Sequence, residues 1–111
     1  MTDRSRKYLS DVLMAIELIE DFTKDTPDFS MYEADRKTQS AVVRQLVIIG
    51  EAINKFRKLE PAIEIKNDRQ IVGFRNRLVH AYDSLDNSIV WAILESHLQP
   101  LKLEMKKLSL L

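Results

Sequence analysis

The chain has 111 residues, of which 45% are hydrophobic and 31% charged, a length and balance that suit one domain, residues 1–111, with a core of its own. It has no cysteine and only two histidines, His80 and His97, which rules out a disulfide scaffold and a thiolate metal site and leaves too few ligands for a His-rich zinc site in one chain. Lysines and arginines number 17, as do aspartates and glutamates; this neutrality argues against a general nucleic-acid coat protein but allows a local basic cleft.

The first six residues, Met1-Thr2-Asp3-Arg4-Ser5-Arg6, lack the apolar core of a signal peptide. The longest pure aliphatic run, Leu46 to Ile49, is far too short to span a bilayer. A soluble, cytoplasmic protein with no membrane contact is expected. Only two glycines and three prolines occur, and no alternating strand pattern is visible, so the chain reads as almost entirely helical. The expected fold is all-α, an up-and-down bundle of four to five helices.

The first helix is predicted over about Arg4 to Thr23, with Leu9, Val12, Leu13, Ile16 and Ile19 as its apolar stripe; Pro27 stops the loop that follows. The second is predicted over about Tyr32 to Leu59. Val42, Leu46, Ile49, Ile53 and Phe56 alternate spacings of four and three, a coiled-coil-like seam. Val43, Val47 and Ile48 add apolar surface on other faces. That is more width than so small an interior needs, and it points to a second subunit.

Glu60-Pro61 ends this helix. Asn67 and Gln70 have the spacing of a capping box, which starts a third helix running to about Val79, or as far as Tyr82. Asp86 or Ser84 caps a fourth over about Asn87 to Leu98. Pro100 opens the last helix at its first position, and the C-terminal leucines are expected to fray. Gly50 and Gly73 fall inside predicted helices, where glycine costs about 1 kcal/mol relative to alanine. Close packing of the second helix on the third explains such a cost; at Gly73, room for a ligand or a partner backbone is the alternative.

The chemically richest stretch is Arg75-Asn76-Arg77-Leu78-Val79-His80-Ala81-Tyr82. Arginine presents a fixed fork of donors that matches phosphate oxygens. Histidine is the side chain whose ordinary pKa lies near neutral pH, so it can take or give a proton. Asn76 and His80, four apart, share a helix face. Arg75 and His80, five apart, lie about 140° from each other on a regular helix. They converge only if the helix loosens near His80 or if two chains bring their segments together. Each residue also has a purely structural reading: solvated arginines, a surface amide, a histidine at the negative helix end, and a tyrosine packed with its hydroxyl in water. His97 reads as a surface or capping residue.

Arg75, Asn76, His80 and Tyr82 together resemble the R-N-x-x-x-H-x-Y motif of the HEPN superfamily, and most closely its HepT-like branch of toxin ribonucleases. Further segments resemble the family in the right order: Asp11-Val12-Leu13-Met14-Ala15-Ile16-Glu17, Leu46-Val47-Ile48-Ile49-Gly50-Glu51-Ala52, Gly73-Phe74-Arg75-Asn76 and Ile89-Val90-Trp91. One departure is Lys66-Asn67-Asp68-Arg69, where family members often carry an Ile-Pro-Trp-like element.

The resemblance implies a bundle that dimerises through the motif helix and the long second helix, with higher assembly left open. It implies a metal-independent endoribonuclease acting on tRNA or mRNA without a cofactor. It also implies a toxin paired with a minimal nucleotidyltransferase antitoxin, which silences it by placing AMP on Tyr82. His80 would move the proton, Arg75 would neutralise charge on the phosphorane and Asn76 would orient His80 or the phosphate. Arg77 and Lys66 would hold flanking phosphates and Glu51 would orient an arginine. Two other readings stand beside this one. In the first, the chain is a non-catalytic dimeric HEPN adaptor that binds a nucleotidyltransferase or a nucleotide. In the second, it is a plain helical dimerisation protein.

Overall fold

A computed structural model of the chain describes residues 1–81 and 84–111. The described residues form six helices and no strand: α1 (Asp3–Thr23), α2 (Phe29–Glu33), α3 (Arg36–Leu59), α4 (Asp68–His80), α5 (Asn87–Ser96) and α6 (Leu98–Leu108). The all-helical bundle expected from the periodicity is the observed one.

Its centre is the pairing of α1 with α3, the two longest helices. Leu9, Val12, Ala15, Ile16 and Ile19 of α1 meet Val42, Ile49, Ala52, Ile53 and Phe56 of α3 in one buried cluster. These are the helical rows visible in the sequence, except that Leu13 and Leu46 are only half-buried. Each large side chain fully removed from water stabilises the fold by about 1.5–3 kcal/mol before entropy is charged. On this core α4 packs against α3, α6 against α1 and α5, and α2 against α3 and α5.

The predicted second helix is broken. Asp35 interrupts it: its carboxylate accepts from the Thr38 backbone N–H at 3.0 Å and from the Thr38 hydroxyl at 2.6 Å, which starts α3 afresh. Asp28 caps the short α2 in the same way through Met31. The two Thr38 hydrogen bonds, the side-chain one first, hold the Asp35 carboxyl below its ordinary pKa. Gln39 ties the pieces together. Its amide donates to the Tyr32 and Glu33 carbonyls and accepts from Asn87 at the start of α5.

Three local expectations differ from the structure. Asn67 forms no capping box. It sits in the left-handed region at φ 64°, a conformation asparagine tolerates, and its side chain makes no cap bond. Pro100 is the third residue of α6 rather than the first; its missing N–H is still among those a helix start leaves unpaired. The C-terminus is tied down, because the Arg6 guanidinium donates to the carbonyls of Ser109 and Leu111. No helix among the described residues is long and apolar enough to cross a membrane.

Candidate functional site

α4 carries the motif, and its geometry decides what the motif can do. Asp68 lies in its first turn and Arg77 and His80 in its last, each charge suited to its end of the helix dipole. The helix stays regular through His80, and the Ala81 N–H closes the last turn on the Arg77 carbonyl at 2.8 Å.

Arg75 points toward α3. Gly50 makes this possible, since a Cβ built there would come 2.3 Å from Arg75 Cβ and 2.7 Å from its Cγ. The helices cross so closely that only glycine fits. The Arg75 guanidinium is then clamped: Nη2 donates to Glu51 Oε1 at 2.8 Å, and Nη1 donates to Asn76 Oδ1 at 3.0 Å. The pair is partly wet, with the Arg75 side chain 28% exposed and that of Glu51 44%. Among the described residues, two of its five guanidinium N–H groups are used. Arg75 Nε is buried with no partner among the described residues.

A groove of about 310 Å³ opens beside this clamp. α3 lines it with Glu51, Asn54 and Lys55, and α4 with Val72, Arg75 and Asn76. Both sets follow the same i, i+3, i+4 rule for one helix face.

His80 does not join Arg75 within the chain. It is exposed, at the end of a regular helix and about 140° around from Arg75. It belongs to another face, where Gly73, Asn76, Arg77 and His80 are all exposed. Among the described residues nothing lies within 4 Å of a Cβ built at Gly73, so the backbone there is open. Arg77 is about 200° from Arg75 and so turns away from α3. Lys66 precedes α4, at the opposite end from His80, and its backbone N–H donates to Glu104 Oε2 of α6 at 2.9 Å. The structure therefore groups Arg75, Asn76 and Glu51 and leaves Lys66 and Arg77 apart from them. Tyr82 lies outside the described residues. His97 is exposed and joins α5 to α6.

Asn54 and Lys55 were not among the residues singled out from the sequence. The signal was present, because they stand three and four positions after Glu51. Among the described residues, no three His, Cys, Asp or Glu side chains form a group able to hold a metal ion.

Residues 12–108 match the family described as Ribonuclease HepT-like. The chain belongs to the HepT-like ribonuclease family. It is 41% identical over 110 residues to "Probable ribonuclease HepT" of Thermococcus cleftensis, which covers 95% of this chain and 96% of the relative. It is 32% identical over 105 residues to "Putative RNase MJ1380" of Methanocaldococcus jannaschii, covering 91% and 93%. No solved structure matches. This HepT-like chain thus aligns with these two relatives nearly end to end, and the span matched by the family includes Gly50, Glu51, Arg75, Asn76 and His80.

Proposed function

We propose that this HepT-like chain is a metal-independent endoribonuclease, active as a homodimer, whose site is built from Arg75, Asn76 and His80. The observation that carries the reading is the division of labour on α4. Arg75 is clamped on one face with donors to spare, while His80 stands on another face of an unbroken helix. Loosening of the helix at His80, the one way for a single chain to unite them, is not what α4 does. Two copies of α4 meeting along the open Gly73, Asn76, His80 face bring the two histidines to one cleft, and Asn76, bonded to Arg75 at 3.0 Å, ties each clamped arginine to its edge.

The chemistry follows from those groups. One neutral His80 takes the proton of an RNA 2′-hydroxyl. The 2′-oxygen attacks the adjacent phosphorus, and the bond from phosphorus to the 5′-oxygen breaks. The partner's His80, protonated, gives its proton to the leaving 5′-oxygen. Arg75 neutralises charge gathering on the phosphorane oxygens. Asn76 couples the Arg75 face to the His80 face. Glu51 acts as a positioning residue that holds the guanidinium fork. The products are a 2′,3′-cyclic phosphate and a 5′-hydroxyl. Arg77, exposed beside His80 on α4, is suited to a flanking phosphate; Lys66 serves one only if the RNA runs the length of the helix.

The same reading makes the protein the toxin of a cytoplasmic toxin–antitoxin pair, one domain spanning residues 1–111. Its antitoxin is a minimal nucleotidyltransferase that silences it by attaching AMP to Tyr82. Tyr82 is two residues from His80, so a bulky anion there would occupy the phosphate site. Expression of the chain alone tests this role: growth should arrest, and His80→Ala should relieve the arrest. Growth unaffected by abundant, folded wild type would contradict it.

A further inference from the structure

Resting on the ribonuclease reading, we propose a second phosphate subsite in the groove between α3 and α4, formed by Lys55, Asn54 and Asn76 next to Arg75. The RNA backbone would leave the scissile phosphate along this groove, toward α1.

The groove has the right composition for one phosphate. Its charged members are Glu51, Arg75 and Lys55. Glu51 is neutralised by Arg75 through the 2.8 Å ion pair, which leaves Lys55 as the uncompensated charge. Among the described residues Lys55 makes no ion pair, and it is exposed. Its ammonium rests 5.9 Å from the centre of the Tyr8 ring on α1, a weak contact that a phosphate would outcompete. Lys7 stands over the same ring at 5.2 Å but is paired with Asp11 at 3.1 Å, so Lys55 is the charge left for a phosphate at this end of the groove.

The amides are set to donate. Asn54 Oδ1 accepts from Arg57 Nε at 3.2 Å, which leaves its NH₂ as donor. Arg57 is itself held near Asp68 at 3.6 Å, at the start of α4. Asn76 Oδ1 is likewise engaged by Arg75, leaving its NH₂ available. A phosphate in the groove would thus meet one ammonium and two amide donors, beside a guanidinium with unused N–H groups. Lys66 and Arg77, suggested for flanking phosphates by sequence alone, do not line this groove.

The test is salt-dependent binding of a labelled 2′-O-methyl oligouridylate, which keeps the phosphates and cannot be cleaved by 2′-hydroxyl attack. Each phosphate contact contributes about 0.7 to the slope of log affinity against log salt for single strands. Lys55→Ala should weaken binding and lower the slope by about 0.7 per site, while Lys55→Arg retains it. Lys24→Ala, about 24 Å along α1 from Tyr8, should leave the slope unchanged. An unchanged slope in Lys55→Ala overturns the subsite, and so does an equal fall in Lys24→Ala, which would mean diffuse charge. If wild type still cleaves RNA in either case, the ribonuclease reading stands without the subsite. If wild type neither binds the probe nor cleaves RNA, that reading falls and the subsite with it.

Discussion

Arg75 crosses α3 directly over Gly50, so closely that a Cβ on Gly50 would sit 2.3 Å from the Cβ of Arg75. The atoms that would collide belong to the root of the arginine side chain, so α4 itself must move to relieve the contact. The glycine in one helix therefore sets where the guanidinium of the other is held.

Gly50→Ala should destabilise the fold by about 1–3 kcal/mol, the usual cost of overpacking, despite the better helix propensity of alanine. Arg75 should also lose its register with Glu51. Urea unfolding and RNA cleavage measured on the same preparation check both effects. A variant as stable and active as wild type would mean the helices do not cross this closely.

Gly73→Leu should behave oppositely. A Cβ there meets nothing within 4 Å among the described residues, so the chain should fold normally. Self-association should fall, because the open face is the one proposed to meet a partner. Sedimentation velocity with circular dichroism separates the two outcomes. A Gly73→Leu protein that associates as wild type does would move the interface elsewhere.

Glu51→Gln keeps the size of the side chain and removes its charge. Stability should change by less than about 1 kcal/mol, because the pair is partly exposed and screened. The rate should suffer more, with kcat falling by up to about 100-fold if the Arg75 fork loses its position. KM should change little. A rise confined to KM would make Glu51 a substrate-binding rather than a positioning residue.

Tyr32 offers a test away from the site. It is fully buried, its ring centre is 5.3 Å from that of Trp91, and its hydroxyl has no partner among the described residues. Burial pushes its pKa up to about 12. The folded state thus favours the neutral phenol. The stability this contributes is complete below the unfolded value of about 10 and is lost as pH rises toward about 12. Tyr32→Phe should be neutral or stabilising by about 1 kcal/mol and should flatten the alkaline loss. Denaturation midpoints across that pH range provide the check, and a destabilised Phe variant would reveal an unseen partner for the hydroxyl.

Tyr82→Phe should keep nuclease activity and resist silencing by a nucleotidyltransferase with ATP. Intact-mass measurement and peptide mapping follow the added AMP. Its appearance on another residue would contradict the assignment.

Much of the fold was legible in the sequence because it rests on helical periodicity, as in Leu9, Val12, Ile16 and Ile19 of α1 and Val42, Ile49, Ile53 and Phe56 of α3. The break before α3 was not. Asp35 resembles any surface acid until its carboxylate is seen on Thr38. Asn67 has the spacing of a cap, yet its left-handed backbone withholds the side chain, a choice made by the loop and not by local preference. In the site, the mismatch between Arg75 and His80 could be read from helix arithmetic alone. The contribution of α3 was only partly visible. Glu51 attracted notice beside Gly50, but Lys55 and Asn54 acquire meaning only once α3 is laid against α4.

The most direct test of the central claim is a cleavage assay on total RNA in EDTA, using wild type and His80→Ala, with Tyr82 confirmed unmodified by mass spectrometry. The account predicts cleavage by wild type alone, leaving 2′,3′-cyclic phosphate ends. Cleavage that requires magnesium, that leaves a 3′-hydroxyl or that survives in His80→Ala would contradict it.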